Sequence, residues 1–134
     1  MPETAAKPKV LIADDERIVA DTLAMILNRG GFEARAVYSC LQALELATAF
    51  KPDMLISDVL MAELNGIEAA IKMKAILPDI RVFLLSGQTA TEDLLERENA
   101  AGYGFEVLTK PLHPRDLLNR LRETSPHIRP ERPG

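Results

Sequence analysis

The stretch LIADDERIV (Leu11–Val19) ends an apolar run on two adjacent aspartates, Asp14 and Asp15. The apolar part, VLIA (Val10–Ala13), is typical of a strand that is buried on both faces of a sheet. Two carboxylates about 4 Å apart repel each other by roughly 4 kcal/mol at an effective dielectric constant of 20. The stretch therefore predicts a buried strand whose carboxyl end carries an acidic site that needs a cation.

The rest of the chain repeats this pattern of a strand followed by a helix. Short apolar runs alternate with amphipathic segments five times, and the runs are Val10–Ala13, Phe32–Val37, Met54–Ser57, Val82–Ser86 and Phe105–Thr109. The first, third and fourth runs are almost continuously apolar, whereas the second alternates, as expected of an edge strand with one wetter face. Such alternation favours an α/β fold with a parallel sheet, helices on both faces and right-handed crossovers.

Capping residues and helix breakers mark the segments between the strands. The expected helix starts and ends are Asp15 to Arg29 before Gly30, Ser39 with Gln42 to Phe50, Asn65 with Glu68 to before Pro78, Thr89 with Glu92 to near Gly102, and Pro114 at the first turn of a fifth helix. In the first helix the expected apolar stripe is Ile18, Val19, Leu23, Ile26 and Leu27, and in the fifth it is Leu117, Leu118 and Leu121.

Composition excludes several classes of protein. With 134 residues, 47% hydrophobic and 27% charged, the chain is large enough for one folded domain. The net charge of −4 argues against a nucleic-acid surface. One cysteine, Cys40, allows no internal disulfide, and with two histidines a zinc site is not expected, so a reducing cytoplasm is the predicted location. We expect no signal peptide and no membrane contact.

Polar residues follow four of the five predicted strands. Asp14 and Asp15 end the first strand, Asp58 the third, Ser86 the fourth and Lys110 the fifth. Because the carboxyl ends of parallel strands meet at one edge of the sheet, these side chains are expected to converge there. Carboxylates and a phosphate oxygen suit Mg²⁺, and a carboxylate can accept a phosphoryl group covalently. The sequence thus predicts a magnesium site at which Asp58 is the nucleophile.

Four motifs carry a resemblance to a known family. DDE, DVLMAELNG, SG and KP occur in this order, each at the end of the appropriate strand, and the chain from Lys9 to Glu123 resembles a response-regulator receiver domain. The resemblance implies a flavodoxin-like (βα)5 three-layer sandwich, with a parallel five-stranded sheet of order 2-1-3-4-5. Composition separates the two ends from this domain: a polar segment at 1–8 is predicted to be disordered, and 124–134 is predicted to be a Pro-rich tail or linker remnant, which leaves the receiver domain at 9–123.

The resemblance further implies how the site works. A sensor histidine kinase or a histidine phosphotransfer protein donates a phosphoryl group from its phosphohistidine to Asp58. Mg²⁺ is held by Asp15, Asp58 and the backbone oxygen of Leu60, with Asp14 acting through water. Ser86 and Lys110 contact the phosphoryl oxygens.

Such a domain promotes its own phosphorylation and dephosphorylation but is not an enzyme acting on a separate substrate. Phosphorylation would shift a two-state surface that partners recognise. A phosphorylation-dependent homodimer through the 89–123 face is possible in the family, and no nucleic acid is bound by the domain itself.

Several positions depart from the family pattern. Ala62 replaces a common proline, Asn65 replaces a common aspartate, and Val107 stands where many relatives have Tyr or Phe. A valine lacks the ring that swings inward when the hydroxyl residue moves. Leu60 and Gln88 occupy the positions that tune hydrolysis of the phospho-aspartate in relatives, and apolar Leu60 is predicted to hinder water.

Two other functions share part of this pattern. A small-molecule phosphatase of the haloacid-dehalogenase type also forms an aspartyl-phosphate, but its DxD pattern does not match Asp14-Asp15. A flavodoxin needs a Ser/Thr/Gly-rich phosphate loop after the first strand, where this chain is acidic. The sequence leaves open whether the chain is a stand-alone receiver or part of a longer regulator, and it does not identify the kinase or the target.

Overall fold

The computed structural model describes residues 7–59, 66–86, 102, 104–109 and 113–124. The strands within these ranges are β1 (Lys9–Ala13), β2 (Glu33–Val37), β3 (Met54–Asp58), β4 (Arg81–Ser86) and β5 (Glu106–Thr109). The helices are α1 (Arg17–Arg29), α2 (Cys40–Phe50), α3 (Gly66–Ile76) and α4 (Pro114–Thr124). The helix predicted from Thr89 falls almost entirely outside the described residues, so that prediction stands untested.

The five strands form one parallel sheet in the order β2-β1-β3-β4-β5. This is the predicted order, and β2 is the edge strand that its alternating sequence indicated. Strands β1, β3 and β4 are buried along nearly their whole length, whereas β2 has the exposed residue Arg35 at its centre. The flavodoxin-like fold is therefore confirmed.

Alternate residues of the strands feed two hydrophobic clusters, one on each face of the sheet. On one face, Leu11 and Ala13 pack with residues of α2 and α3, including Phe50 and Met73. On the other face, residues of the first four strands pack with α1 and α4. The buried members of this cluster are Val10, Ile12, Ala20, Leu23, Leu27, Phe32, Ala34, Met54, Ile56, Phe83, Leu85, Leu117 and Leu121. The described elements thus form three layers, with the sheet in the middle.

Two predicted helix starts agree with the structure. The Ser39 side chain accepts a hydrogen bond from the Gln42 backbone N–H at 3.1 Å, as a capping box requires. The reciprocal bond goes to the preceding residue, because the Tyr38 N–H donates to Gln42 Oε1 at 2.8 Å. Helix α4 begins at Pro114, and the ring Nδ1 of His113 accepts a hydrogen bond from the Arg115 N–H at 3.1 Å.

The predicted start of α1 is wrong in two respects. The N-cap residue is Glu16 rather than Asp15, and it makes no side-chain capping hydrogen bond. Ile18 is 82% exposed and does not belong to the apolar stripe. At 3.6 residues per turn it lies about 140° around the helix from Leu23. The residue that completes the buried face is Ala20, whose small side chain gave no signal of burial.

The end of α1 contacts α4. The Gly30 N–H donates to the carbonyls of Ile26 and Leu27, and Arg122 Nη2 donates to the Gly30 carbonyl at 3.0 Å. A Cβ atom placed on Gly30 would lie 2.6 Å from Leu118 Cδ1. A side chain at position 30 therefore requires the Leu118 side chain of α4 to shift, while the arginine satisfies a carbonyl at the helix end.

None of the helices within the described part of the chain is both long and apolar enough to cross a lipid bilayer.

Candidate functional site

Two aspartates meet because β1 and β3 are adjacent and in register. Ala13 of β1 lies opposite Ser57 of β3, so the next residues, Asp14 and Asp58, come side by side at the carboxyl edge of the sheet. The Asp14 N–H donates to the Val37 carbonyl at 3.1 Å, which continues the pairing with β2 one step beyond Ala13. The sheet register therefore sets the spacing of these carboxylates, as the sequence predicted.

Asp14, Asp15 and Asp58 form one cluster. Each offers a carboxylate oxygen, and these three oxygens all lie within 4.8 Å of one another. Asp14 is 1% exposed and Asp58 is 8% exposed, whereas Asp15 faces solvent. The cluster is thus open on the side of Asp15 and closed by the sheet on the side of Asp14.

The loop after β1 is shaped by one of these carboxylates. Asp14 Oδ1 accepts a hydrogen bond from the Glu16 backbone N–H at 2.9 Å. This short-range bond turns the chain out of the strand and into α1. It places Asp15 on the outer, solvent-exposed side of the turn.

Ser86 ends β4 at the same edge. Leu85 pairs with Asp58 across the sheet, and the Val59 N–H donates to the Leu85 carbonyl at 3.0 Å, so Ser86 lies one residue beyond the level of Asp58. The Ser86 side chain is buried, with 1% exposure. Lys110 and Leu60, the other predicted site residues, lie outside the described residues; Lys110 directly follows the last residue of β5.

Val107 lies within β5 and is paired in register with Leu84. It is half-buried and packs against the hydrophobic cluster that contains Leu84 and Phe105. Its position in a strand, with a short branched side chain in contact with the core, agrees with the expectation that it cannot make the large rotation of an aromatic ring.

Beside the acidic cluster, Tyr38 contacts both Arg17 and Asp21, three residues that the sequence did not mark as functional. The Arg17 guanidinium lies over the Tyr38 ring, 4.1 Å from its centroid. The Tyr38 hydroxyl donates to Asp21 Oδ1 at 2.6 Å. The sequence did place Arg17 and Asp21 on one helix face, since they are four residues apart. Nothing in the sequence indicated that Tyr38 reaches that face.

The donor set of the cluster fits Mg²⁺. Three carboxylates, with no histidine or cysteine among them, are hard oxygen ligands of the kind that Mg²⁺ takes, and they leave coordination positions for water and a phosphate oxygen. Their mutual repulsion is also the electrostatic condition that a divalent cation relieves. The chemistry of its side chains therefore fits a magnesium-type ion.

Sequence comparison places the chain in a family. The response regulator receiver domain matches residues 10–122, and the chain belongs to this family. It is 28% identical over 124 residues to the response regulator MprA of Mycobacterium avium, covering 92% of this chain and 53% of that protein. It is 30% identical over 131 residues to MprA of a Mycobacterium species (strain KMS), covering 94% and 56%. The chain thus spans about half the length of these relatives.

Solved structures agree on the fold. A CheY-like receiver domain protein from Methanospirillum hungatei superposes with a TM-score of 0.80 at 22% identity, covering 89% of this chain and 94% of the other. The chemotaxis protein CheY4 of Vibrio cholerae superposes with a TM-score of 0.78 at 27% identity, covering 90% and 100%. The receiver assignment made from the four motifs is therefore confirmed.

Proposed function

We propose that this domain accepts a phosphoryl group on Asp58, with Mg²⁺ held at the acidic cluster, and that a sensor histidine kinase or a histidine phosphotransfer protein is the donor. The observation that carries the proposal is the convergence of three carboxylate oxygens within 4.8 Å at the end of β3. Membership of the receiver family supports it, because such domains take part in two-component signalling.

The step moves a phosphoryl group from a histidine nitrogen of the donor to a carboxylate oxygen of Asp58. A carboxylate oxygen of Asp58 attacks phosphorus, the P–N bond to the donor histidine breaks, and the histidine nitrogen keeps the bonding electron pair. Bound Mg²⁺ would neutralise charge on the phosphoryl oxygens. Asp15, Asp58 and the Leu60 carbonyl would hold it directly and Asp14 through water, while Ser86 and Lys110 would contact the phosphoryl oxygens.

The burial of Asp58 suits this role. At 8% exposure its carboxylate is held by β3 in a fixed direction, yet it borders the opening beside Asp15. Phosphoryl transfer depends mainly on aligning the attacking oxygen with the phosphorus atom. A carboxylate fixed at the end of a strand is suited to that alignment. Phosphorylation would then shift an equilibrium between two surface states that partners distinguish.

The experiment is phosphorylation by a small donor. The protein is incubated with acetyl phosphate and Mg²⁺, and the intact mass is measured for the wild type, Asp58→Ala and the control Asp79→Ala. Asp79 is an exposed aspartate outside the acidic cluster. We expect one added phosphoryl group on the wild type and on Asp79→Ala, lost in hydroxylamine, and none on Asp58→Ala. Equal labelling of Asp58→Ala would refute the proposal.

A small-molecule phosphatase has no comparable support, because the matched family is the response regulator receiver domain and the relatives described above are response regulators. Sustained hydrolysis of a generic phosphate ester by this protein would be the evidence for phosphatase activity. The partner that reads the phosphorylated state, and a homodimer through the 89–123 face, remain part of this proposal for the signalling assembly.

A further inference from the structure

Helix α1 begins without a capping side chain on its N-cap residue. Its N-cap residue, Glu16, makes no side-chain hydrogen bond to the first turn, and there is no acidic residue in that turn. Its first residue is Arg17, a cation at the positive end of the helix dipole, where positive charge is unfavourable. Asp14 Oδ1 accepts the Glu16 N–H just ahead of the helix, so contacts to the first turn itself add further support to this helix end.

Tyr38 supplies two contacts to this helix end. Its ring lies under the Arg17 guanidinium at 4.1 Å, and its hydroxyl donates to Asp21 Oδ1 at 2.6 Å. Because Arg17 and Asp21 are one turn apart, these two contacts hold the first turn of α1 at both its start and its end. A hydrogen bond to a carboxylate is among the stronger kinds.

Tyr38 is itself fixed to the sheet and to α2. It directly follows Val37, whose carbonyl accepts the Asp14 N–H at 3.1 Å. Its own N–H donates to Gln42 Oε1 at 2.8 Å, in the cap of α2. The tyrosine thus links the cap of α2 to the start of α1, the helix that follows the loop with the two aspartates.

We infer that Tyr38 is a positioning residue that holds the start of α1, and through it the carboxylates of Asp14 and Asp15, in the arrangement that binds Mg²⁺. The part of this inference that concerns the metal rests on the proposed function; the mechanical part does not. The pKa of Tyr38 is raised, first by the hydrogen bond to Asp21, so the phenol stays protonated and keeps donating.

Amide hydrogen exchange tests the mechanical part without any metal. The reporters are the Glu16 amide, bonded to Asp14 Oδ1, and the Ala20 amide, bonded to the Glu16 carbonyl at 3.0 Å. In Tyr38→Ala we expect both to exchange roughly tenfold faster or more, while the Gly30 amide at the far end of α1 keeps its rate. Equal acceleration at all three amides, or none at any, overturns the inference.

Mg²⁺ affinity tests the functional part. Tyr38 carries no charge at neutral pH, so its replacement leaves the formal charge of the site unchanged. We expect Tyr38→Ala to weaken Mg²⁺ binding by roughly tenfold, the scale seen when a group that orients metal ligands is removed. Tyr38→Phe keeps the ring under Arg17 and loses only the hydrogen bond, so its affinity should lie between those of Tyr38→Ala and the wild type. It also serves as the test if Tyr38→Ala does not fold.

Loss of the Tyr38 ring could weaken Mg²⁺ binding in another way, because the released Arg17 guanidinium could move toward the three clustered aspartates and compete with the ion. The double variant Arg17→Gln/Tyr38→Ala separates the two causes, with Arg17→Gln as its reference. If the affinity loss persists when Tyr38 is replaced in the Arg17→Gln background, positioning is supported; if it vanishes, competition by Arg17 explains it and the inference is wrong. A wild type that binds no Mg²⁺ refutes the proposed function, and hydrogen exchange still decides the role of Tyr38.

Discussion

The Oδ1 atom of Asp14 accepts the backbone N–H of Glu16 at 2.9 Å, although Asp14 is also one of the three clustered carboxylates. The same residue therefore shapes the loop between β1 and α1 and contributes charge to the proposed metal site. These two roles respond differently to substitution, because an asparagine keeps an oxygen acceptor and removes the charge.

Asp14→Asn should stabilise the metal-free protein and weaken its response to Mg²⁺. Removing one of three close negative charges relieves repulsion of roughly 3.5 kcal/mol per pair at 4.8 Å and an effective dielectric constant of 20, and less for the pair with solvent-exposed Asp15. The check is chemical denaturation with and without Mg²⁺, where added ligand stabilises the wild type by about 1.4 kcal/mol at tenfold its dissociation constant. Asp79→Asn should change neither value. A metal-free Asp14→Asn less stable than the wild type would contradict the repulsion argument.

The titration of Tyr38 should occur above the ordinary pKa of 10.0, since the hydrogen bond to Asp21 and that residue's negative charge both raise the pKa. A raised pKa in the folded state means that this contribution to stability is complete below pH 10.0 and is lost as the pH rises through the folded-state pKa. Ultraviolet absorbance of the phenolate in Tyr103→Phe, which leaves Tyr38 as the sole tyrosine, measures it.

Adding Asp21→Ala to that background should lower the pKa of Tyr38, because the acceptor and its charge are both removed. If the pKa were the same with and without Asp21, the hydrogen bond seen in the structure would not exist in solution.

Gly30→Ala should destabilise the protein by no more than about 1 kcal/mol, the lower end of the usual range for overpacking, because the methyl groups of half-buried Leu118 can shift. The backbone φ of Gly30 is −90°, so the cost comes from the collision with Leu118 rather than from the backbone. Urea denaturation measures it, and Gly102→Ala, whose Cβ would meet no atom within 4 Å, is the matched control. Replacing Leu118 by alanine should make the Gly30→Ala substitution nearly neutral; unchanged cost in that background would rule out the collision.

Leu60→Asn should speed the loss of phosphate from Asp58, because a polar side chain two residues after the acceptor admits and orients water better than leucine does. Leu60 lies outside the described residues, and the prediction rests on the proposed function. A threefold increase corresponds to about 0.7 kcal/mol of activation free energy. Decay of the phosphorylated intact mass gives the rate, with Leu41→Asn, on the exposed side of α2, as the control. An unchanged rate would show that leucine does not hinder water here.

The sequence alone was enough to predict the convergence of the acids, and its resemblance to the receiver family implied the strand order. Each apolar run that ends in Asp14, Asp58 or Ser86 is a local pattern. Because parallel strands place their carboxyl ends at the same edge of the sheet, these local patterns predict one shared site. The start of α1 could not be read in the same way. Asp15 has the composition of a helix cap, but Asp14 takes the turn and Glu16 occupies the N-cap position.

What only the tertiary structure decided is the set of contacts between side chains far apart in the chain. The exposure of Ile18, the close approach of Leu118 to Gly30, and the contacts of Tyr38 depend on how α1 is rotated against the sheet and against α4. That rotation is set by the packing of both sheet faces together, whereas the sequence pattern reports only the apolar face of each element in isolation.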